Sequence, residues 1–230
     1  MSLKRPHFLY ALLIVFLVFN TASAKDQVIG DAASTAGYKK PYKFSENWFA
    51  DKMPVWIDIL KEFKGKPGVT YLEVGTFEGR SSLWLLENIL TDPSSKLLIV
   101  DAFQENTLDT FSSNINLSGE PEKFRILSGY STDKLKEIPS NSVDFSYIDG
   151  SGKGIVMLSD LVATWNLTKL NGIIICSRYE LNDSLRIALK LQPQDPGPHE
   201  AIDAFIKMYK PYINVVLFKE NYVIVRKIRE

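Results

Sequence analysis

Between residues 69 and 209, short apolar runs alternate with longer stretches whose apolar residues recur at helical spacing. Such alternation commits a chain to a mostly parallel sheet with helices on both faces. Parallel strands need a crossover of a dozen or more residues, and the crossover helix must bury its apolar stripe on the sheet. The predicted strands are 69–74, 97–100, 124–127, 143–148 and 172–176, and the predicted helices are 79–90, 107–116, 132–138, 155–167 and 200–209. Two last runs, 213–218 and 222–226, are joined only by Lys219, Glu220 and Asn221. So tight a link makes them an antiparallel pair. Upstream, Ser45, Glu46 and Trp48, followed by Val55, Trp56, Ile59, Leu60 and Phe63, predict an amphipathic helix interrupted or restarted at Pro54.

Residues 1–24 follow another pattern. Lys4 and Arg5 precede an apolar run from 8 to 19, and Thr21-Ala22-Ser23-Ala24 closes it. This is the layout of a secretory signal peptide cut after Ala24. The run falls short of the roughly 20 residues that span a bilayer. The expectation is an exported, periplasmic or secreted protein without membrane attachment after cleavage, with an uncleaved membrane anchor as the alternative. Residues 25–44 are polar and aperiodic, and read as a flexible lead-in to a domain over 45–230. Beyond residue 24 the chain holds 25 basic and 27 acidic residues, a formal charge of −2, so nothing suggests nucleic acid as a partner. With 45% hydrophobic residues a full core is available, and the single cysteine, Cys176, sits in an isoleucine-rich run as a small core residue.

The stretch YLEVGTFEGRSS, 71–82, ends the first strand and opens the next helix. A phosphate-binding P-loop needs two glycines five apart and a lysine. Here Gly75 and Gly79 are four apart, and Arg80 follows. A dinucleotide fingerprint needs a middle glycine, whereas Phe77 and Glu78 would crowd and repel a diphosphate. Glu73 before the glycines suits a ligand with a positive amino acid group, and Asp101, at the tip of the second strand, suits a ribose diol. S-adenosylmethionine carries both.

Together with LLIVDAF, SGYSTDKL, FSYIDGS and AIDAFIKMY, the stretch YLEVGTFEGRSSLWLLENIL resembles the class I S-adenosylmethionine-dependent methyltransferases, in the group whose first motif reads LE[IV]G-x-x-x-GRS. The resemblance covers roughly residues 45–228. It implies a Rossmann-like methyltransferase fold, α/β, with a seven-stranded mostly parallel sheet, an antiparallel last strand and helices on both faces. It also implies that Glu73, Gly75, Thr76 and Gly79 line the methionine part of the cofactor. Arg80 and Ser81 would then offer donors to its carboxylate, Asp101 would hold the ribose, Gly129, Tyr130 and Ser131 would flank the adenine, and Asp149 would face the methyl group. Related enzymes carry D-G-S-H and D-D-Y after the fourth and fifth strands, some with magnesium. This chain has Gly152 in place of the histidine, and Ser177-Arg178-Tyr179 in place of the second motif. One carboxylate beside an arginine is a poor magnesium site, so no metal is expected.

Candidates for the acceptor side are Asp149, Arg178, Tyr179 and His199, the last being the only histidine beyond residue 24. Arg178 either positions an anionic acceptor or closes on Asp149. The Pro-rich stretch 192–199 reads as a loop arching over the ligand face. Trp48, Phe49 and Trp56 read as core, as an acceptor lid, or as a protein-partner patch. The expected function is methyl transfer to oxygen or nitrogen of a small molecule. The alternative is an exported, catalytically silent binding or interaction module on the same fold. Asn116, Asn166 and Asn182 head glycosylation sequons.

Overall fold

The computed structural model describes residues 37–104, 107–180, 183–188, 190–219 and 221–230. The signal-peptide segment 1–24 and the first part of the lead-in, 25–36, lie outside the described residues. The strands are β1 (Thr70–Val74), β2 (Lys96–Asp101), β3 (Phe124–Ser128), β4 (Val143–Ile148), β5 (Thr168–Ser177), β6 (Ile213–Lys219) and β7 (Tyr222–Lys227). The helices are α1 (Met53–Ile59), α2 (Arg80–Asn88), α3 (Thr107–Ser118), α4 (Ser131–Lys134), α5 (Gly154–Leu167), α6 (Asp183–Ala188) and α7 (Pro198–Tyr209).

The strands form one sheet in the order β3-β2-β1-β4-β5-β7-β6. β7 is inserted between β5 and β6, antiparallel to both, while β1 to β5 pair in parallel. Near-continuous apolar runs such as Leu97–Val100 are what a strand covered on both faces requires. Alternate residues feed two cores. Tyr71, Ile99, Phe145 and Ile175 pack with α1, α2 and α3 on one face, and Leu72, Val100, Ile148 and Ile174 pack with α5 and α7 on the other. No helix among the described residues is long and apolar enough to cross a membrane.

Several expectations need correction. The described part of the lead-in, 37–44, is docked. Tyr42 and Phe44 are buried, the Tyr38 hydroxyl donates to the Arg80 carbonyl at 2.9 Å, and the Tyr42 hydroxyl donates to Glu87 Oε1 at 2.8 Å. Aromatic residues at 38, 42 and 44 alternate with lysines without helical period, and they find their cover in α2 and in one another. The helix expected from Ser45 is shorter, a 3₁₀ turn over Ala50–Lys52 followed by α1; the restart expected at Pro54 is borne out, with Pro54 in the first turn of α1, where its missing N–H costs nothing. α6 was not legible in the sequence, β5 begins earlier than expected, and the helix predicted at 132–138 is α4 followed by a 3₁₀ turn over Leu135–Glu137.

Candidate functional site

The strand order reverses direction between β1 and β4, so the chain leaves β1 toward β2 on one side and β4 toward β5 on the other. The crevice that opens between them at the carboxyl ends of the strands is where open α/β sheets hold ligands. A cavity of about 750 Å³ lies there, floored by the ends of β1, β2 and β4, with Glu46, Glu78, Asp101 and Asp149 as its carboxylates and Arg80, Lys153 and Arg178 as its cations.

The turn after β1 is held by its own chain. Gly75 has φ +84°, and a Cβ there would stand 2.5 Å from the Cα of Gly150 and 2.6 Å from the Asp149 carbonyl oxygen. Gly79 has φ +86°, and a Cβ there would meet the Phe111 ring at 2.7 Å. Between them Phe77, a non-glycine, takes φ 56°. The carboxylate of Asp101 ties this turn down. Its Oδ2 accepts from the backbone N–H of Thr76 at 2.7 Å and of Phe77 at 3.0 Å, and its Oδ1 accepts from the N–H of Phe103 at 2.7 Å. A carboxylate offers about four acceptor positions, so three are filled. Asp101 therefore has room for one ribose hydroxyl as it stands, not for both as its position at the strand tip suggested.

Glu73 is a second correction. It is fully buried beneath the turn and does not line the cavity. Its oxygens accept from the hydroxyls of Ser81 and Ser82, with Thr76 Oγ1 3.4 Å away. Burial pushes this carboxyl up to about 7, against the lowering effect of the two serines. The reason is the pleat: residue 73 points with Tyr71 into the core under α2, whereas the chain reaches the crevice only from Val74 onward. Ser81 lines the cavity, but its hydroxyl is spent on Glu73. The guanidinium of Arg80 lies 4.3 Å from the Phe44 ring centroid and bonds to Asn47 Oδ1 at 3.3 Å, so the segment before α1 holds it. Gly129, Tyr130 and Ser131 do line the cavity, with the Gly129 N–H on the Asp101 carbonyl at 2.8 Å and Tyr130 exposed.

On the far wall, Asp149 Oδ1 accepts from Arg178 Nε at 2.7 Å and Oδ2 accepts from the Tyr147 hydroxyl at 2.9 Å. Arg178 has closed on Asp149, and the carboxylate beside it raises the guanidinium's affinity for its proton. Tyr179 and His199 are not at the cavity. The Tyr179 hydroxyl donates to Asp203 Oδ1 at 2.9 Å, and its ring packs edge-on against Phe218 at 4.6 Å. His199, at the start of α7, faces Glu200 with Nδ1 to Oε2 at 3.1 Å. The left-handed backbone at Arg178, φ 59°, turns the chain so that Arg178 points inward while Tyr179 packs on α7. The Pro-rich stretch does not arch over the crevice; the Gly154 N–H bonds to the Pro196 carbonyl at 2.8 Å and ties it to the start of α5.

Sequence reasoning missed Tyr147, Phe44 and Glu46; the last two form a wall with Trp48, for which an acceptor lid is one of the sequence readings. Tyr147 was findable, because it stands two residues before Asp149 on the same side of the β4 line. Of the three aromatic residues singled out before α1 and within it, Phe49 and Trp56 are core, and Trp48 alone is exposed, against Phe77 with ring centroids 5.3 Å apart. Cys176 is fully buried, and its thiol is pushed up to about 12 by that burial. Asn116 and Asn166 are exposed on α3 and α5, while Asn182 lies outside the described residues.

Residues 72–177 match the family model of a methyltransferase domain, which covers the carboxyl ends of β1 to β5 but neither the N-terminal wall nor Arg178. The fold is that of the class I S-adenosylmethionine-dependent methyltransferases, and the matched stretch is similar to their methyltransferase domain. An uncharacterized protein of Acanthamoeba polyphaga mimivirus is 25% identical over 162 residues, 65% of this chain and 71% of the viral protein. The O-methyltransferase of Bacillus cereus, solved in complex with SAH, superposes with a TM-score of 0.61 at 15% identity over 92% of this chain and 94% of that one. The SAH-bound methyltransferase PaMTH1 of Podospora anserina gives 0.59 at 18% identity over 94% and 100%.

Proposed function

We propose that the protein is an S-adenosylmethionine-dependent methyltransferase that acts on oxygen or nitrogen of a small molecule without a metal ion. The observation that carries this is the crevice itself. It is a cavity of about 750 Å³ at the topological switch point, within the range usual for cofactor sites, lined by carboxylates and closed by a glycine turn of the expected kind. The residues present fit the cofactor. The remaining acceptor position of Asp101 suits a ribose hydroxyl, Tyr130 and Ser131 line the same cavity and would flank an adenine, and Glu46 and Glu78 add negative charge suited to the ammonium and sulfonium.

When bound, the cofactor supplies a methyl carbon activated by sulfonium. Transfer of that methyl group to the acceptor atom would leave the electrons of the carbon–sulfur bond on sulfur. The protein's part is alignment of the two partners. Both oxygens of Asp149 are engaged, by Arg178 and Tyr147, which supports metal independence and argues against Asp149 as a strong base. The acceptor's proton would then leave to water. For location we propose export, on the pattern of residues 1–24 alone.

The same Arg178–Asp149 pair favours a second reading, a catalytically silent exported module in which the pair seals the acceptor side. Isothermal titration of the full chain with S-adenosylmethionine and S-adenosylhomocysteine tests the first reading. Micromolar affinity, about −8 kcal/mol, is expected. A folded chain giving no heat with either compound overturns it and leaves the silent module.

A further inference from the structure

Arg178 ends β5 in a left-handed conformation that side-chain-bearing residues adopt rarely, φ 59°, and it is held there by its own contacts. Its Nε bonds to Asp149 Oδ1 at 2.7 Å and its Nη2 to the Asp149 carbonyl at 3.3 Å, while the following N–H, that of Tyr179, bonds to the Asn221 carbonyl at 3.3 Å. A guanidinium has five N–H donors in one planar fork, and Asp149 uses two of them. The other three belong to a largely buried group that lines the cavity.

Asp149 is itself braced by the Tyr147 hydroxyl at 2.9 Å, and Tyr147 by Ser177 Oγ at 3.1 Å. The result is a rigid platform in which the ion-paired guanidinium is fixed and turns its remaining N–H groups to the cavity. Lys153, exposed on the loop that follows β4, lines the same cavity and has no ion pair among the described residues. Trp48 and Phe77 supply ring surface nearby.

We propose that Arg178 receives the carboxylate of the methyl acceptor, so that the substrate class is a small monoanionic acid. This deepens the methyltransferase reading above and rests on it. A planar carboxylate matches the remaining fork in a way a neutral amide cannot. A single negative charge also complements a cationic cofactor, whereas Glu46 and Glu78, which line the same cavity, disfavour a doubly charged phosphate.

The test uses the full chain saturated with S-adenosylhomocysteine, titrated with benzoate and with its neutral isostere benzamide. Benzoate is expected to bind about tenfold or more tightly than benzamide, as a charge-assisted bidentate contact implies. Arg178→Gln should erase that preference while S-adenosylhomocysteine affinity is retained, and Arg178→Lys, a point charge without the fork, should keep only part of it. Because Arg178→Gln leaves Asp149 unpaired, the double variant Asp149→Asn with Arg178→Gln removes both partners and should show the same loss. Equal affinities for benzoate and benzamide in the wild type, or a preference that survives in Arg178→Gln, overturn the proposal. Failure of S-adenosylhomocysteine to bind the wild type overturns the methyltransferase reading and this one with it, whereas its binding without discrimination overturns this one alone.

Discussion

Gly75 is the residue on which the crevice most depends, because its backbone passes so close to Asp149 and Gly150 that the ends of β1 and β4 touch. Gly75→Ala adds a methyl group 2.5 Å from the Gly150 Cα, in a left-handed conformation that L residues resist. Overpacking of this kind costs about 1–3 kcal/mol, and the conformation about 1–2 kcal/mol more. The urea midpoint should fall accordingly with an unchanged denaturant slope, and a midpoint equal to wild type would show that the two strand ends separate without cost. Both glycines of the motif were legible in the sequence as ligand-cradling positions. Their neighbours here are Gly150 and Phe111, so what they accommodate first is the protein's own chain. Sequence spacing shows that a turn needs glycine, but it does not show what passes beside it.

At the scale of elements, the docked segment ahead of α1 has the largest consequence. Glu87 on α2 holds it through three contacts: Oε2 accepts from the Lys39 N–H at 2.6 Å, Oε1 from the Tyr42 hydroxyl at 2.8 Å, and its carbonyl from Lys39 Nζ at 2.9 Å. Further on, Lys43 is held separately, by the Asn114 side chain at 2.9 and 2.8 Å. Glu87→Ala should therefore loosen only the first part. Removing a buried charged acceptor costs on the order of 1–3 kcal/mol, which should raise tryptic cleavage after Lys39 about tenfold while Lys43 stays protected. Equal acceleration at both lysines would mean that the segment lifts as one piece. The segment carries Glu46 and Trp48 into the cavity wall, so its docking belongs to the site as much as to the core. It was illegible in the sequence because its aromatic residues follow no helical period. The alternation from 69 to 209, by contrast, placed β1 to β5, and the short link over 219–221 placed β6 and β7 as an antiparallel pair.

For the molecule as a whole, Glu73 couples the site to stability. Its carboxyl, ordinarily near 4.5, is raised to about 7 by burial, so between these values the folded protein keeps a proton that the unfolded chain has lost. The contribution is complete below 4.5 and disappears as pH rises to about 7, opposite to the usual behaviour of a paired carboxylate. Glu73→Gln cannot titrate, so the stability of the variant relative to wild type, from urea unfolding at a series of pH values, should climb across this window and level off above it. A constant difference would mean that Glu73 ionises normally. The sequence by itself determined the order of the seven strands and of the helices other than α6, the antiparallel last pair, and the clustering of Asp101 and Asp149 at strand ends, because apolar period and loop length are local properties that any fold of this chain must respect. The tertiary structure alone decided that Glu73 faces the core, that Arg178 closes on Asp149, that Tyr179 and His199 turn away from the crevice, and that residues 37–49 build one of its walls. Each of these depends on the direction in which a side chain leaves a packed strand end. That direction is set by neighbours distant in sequence.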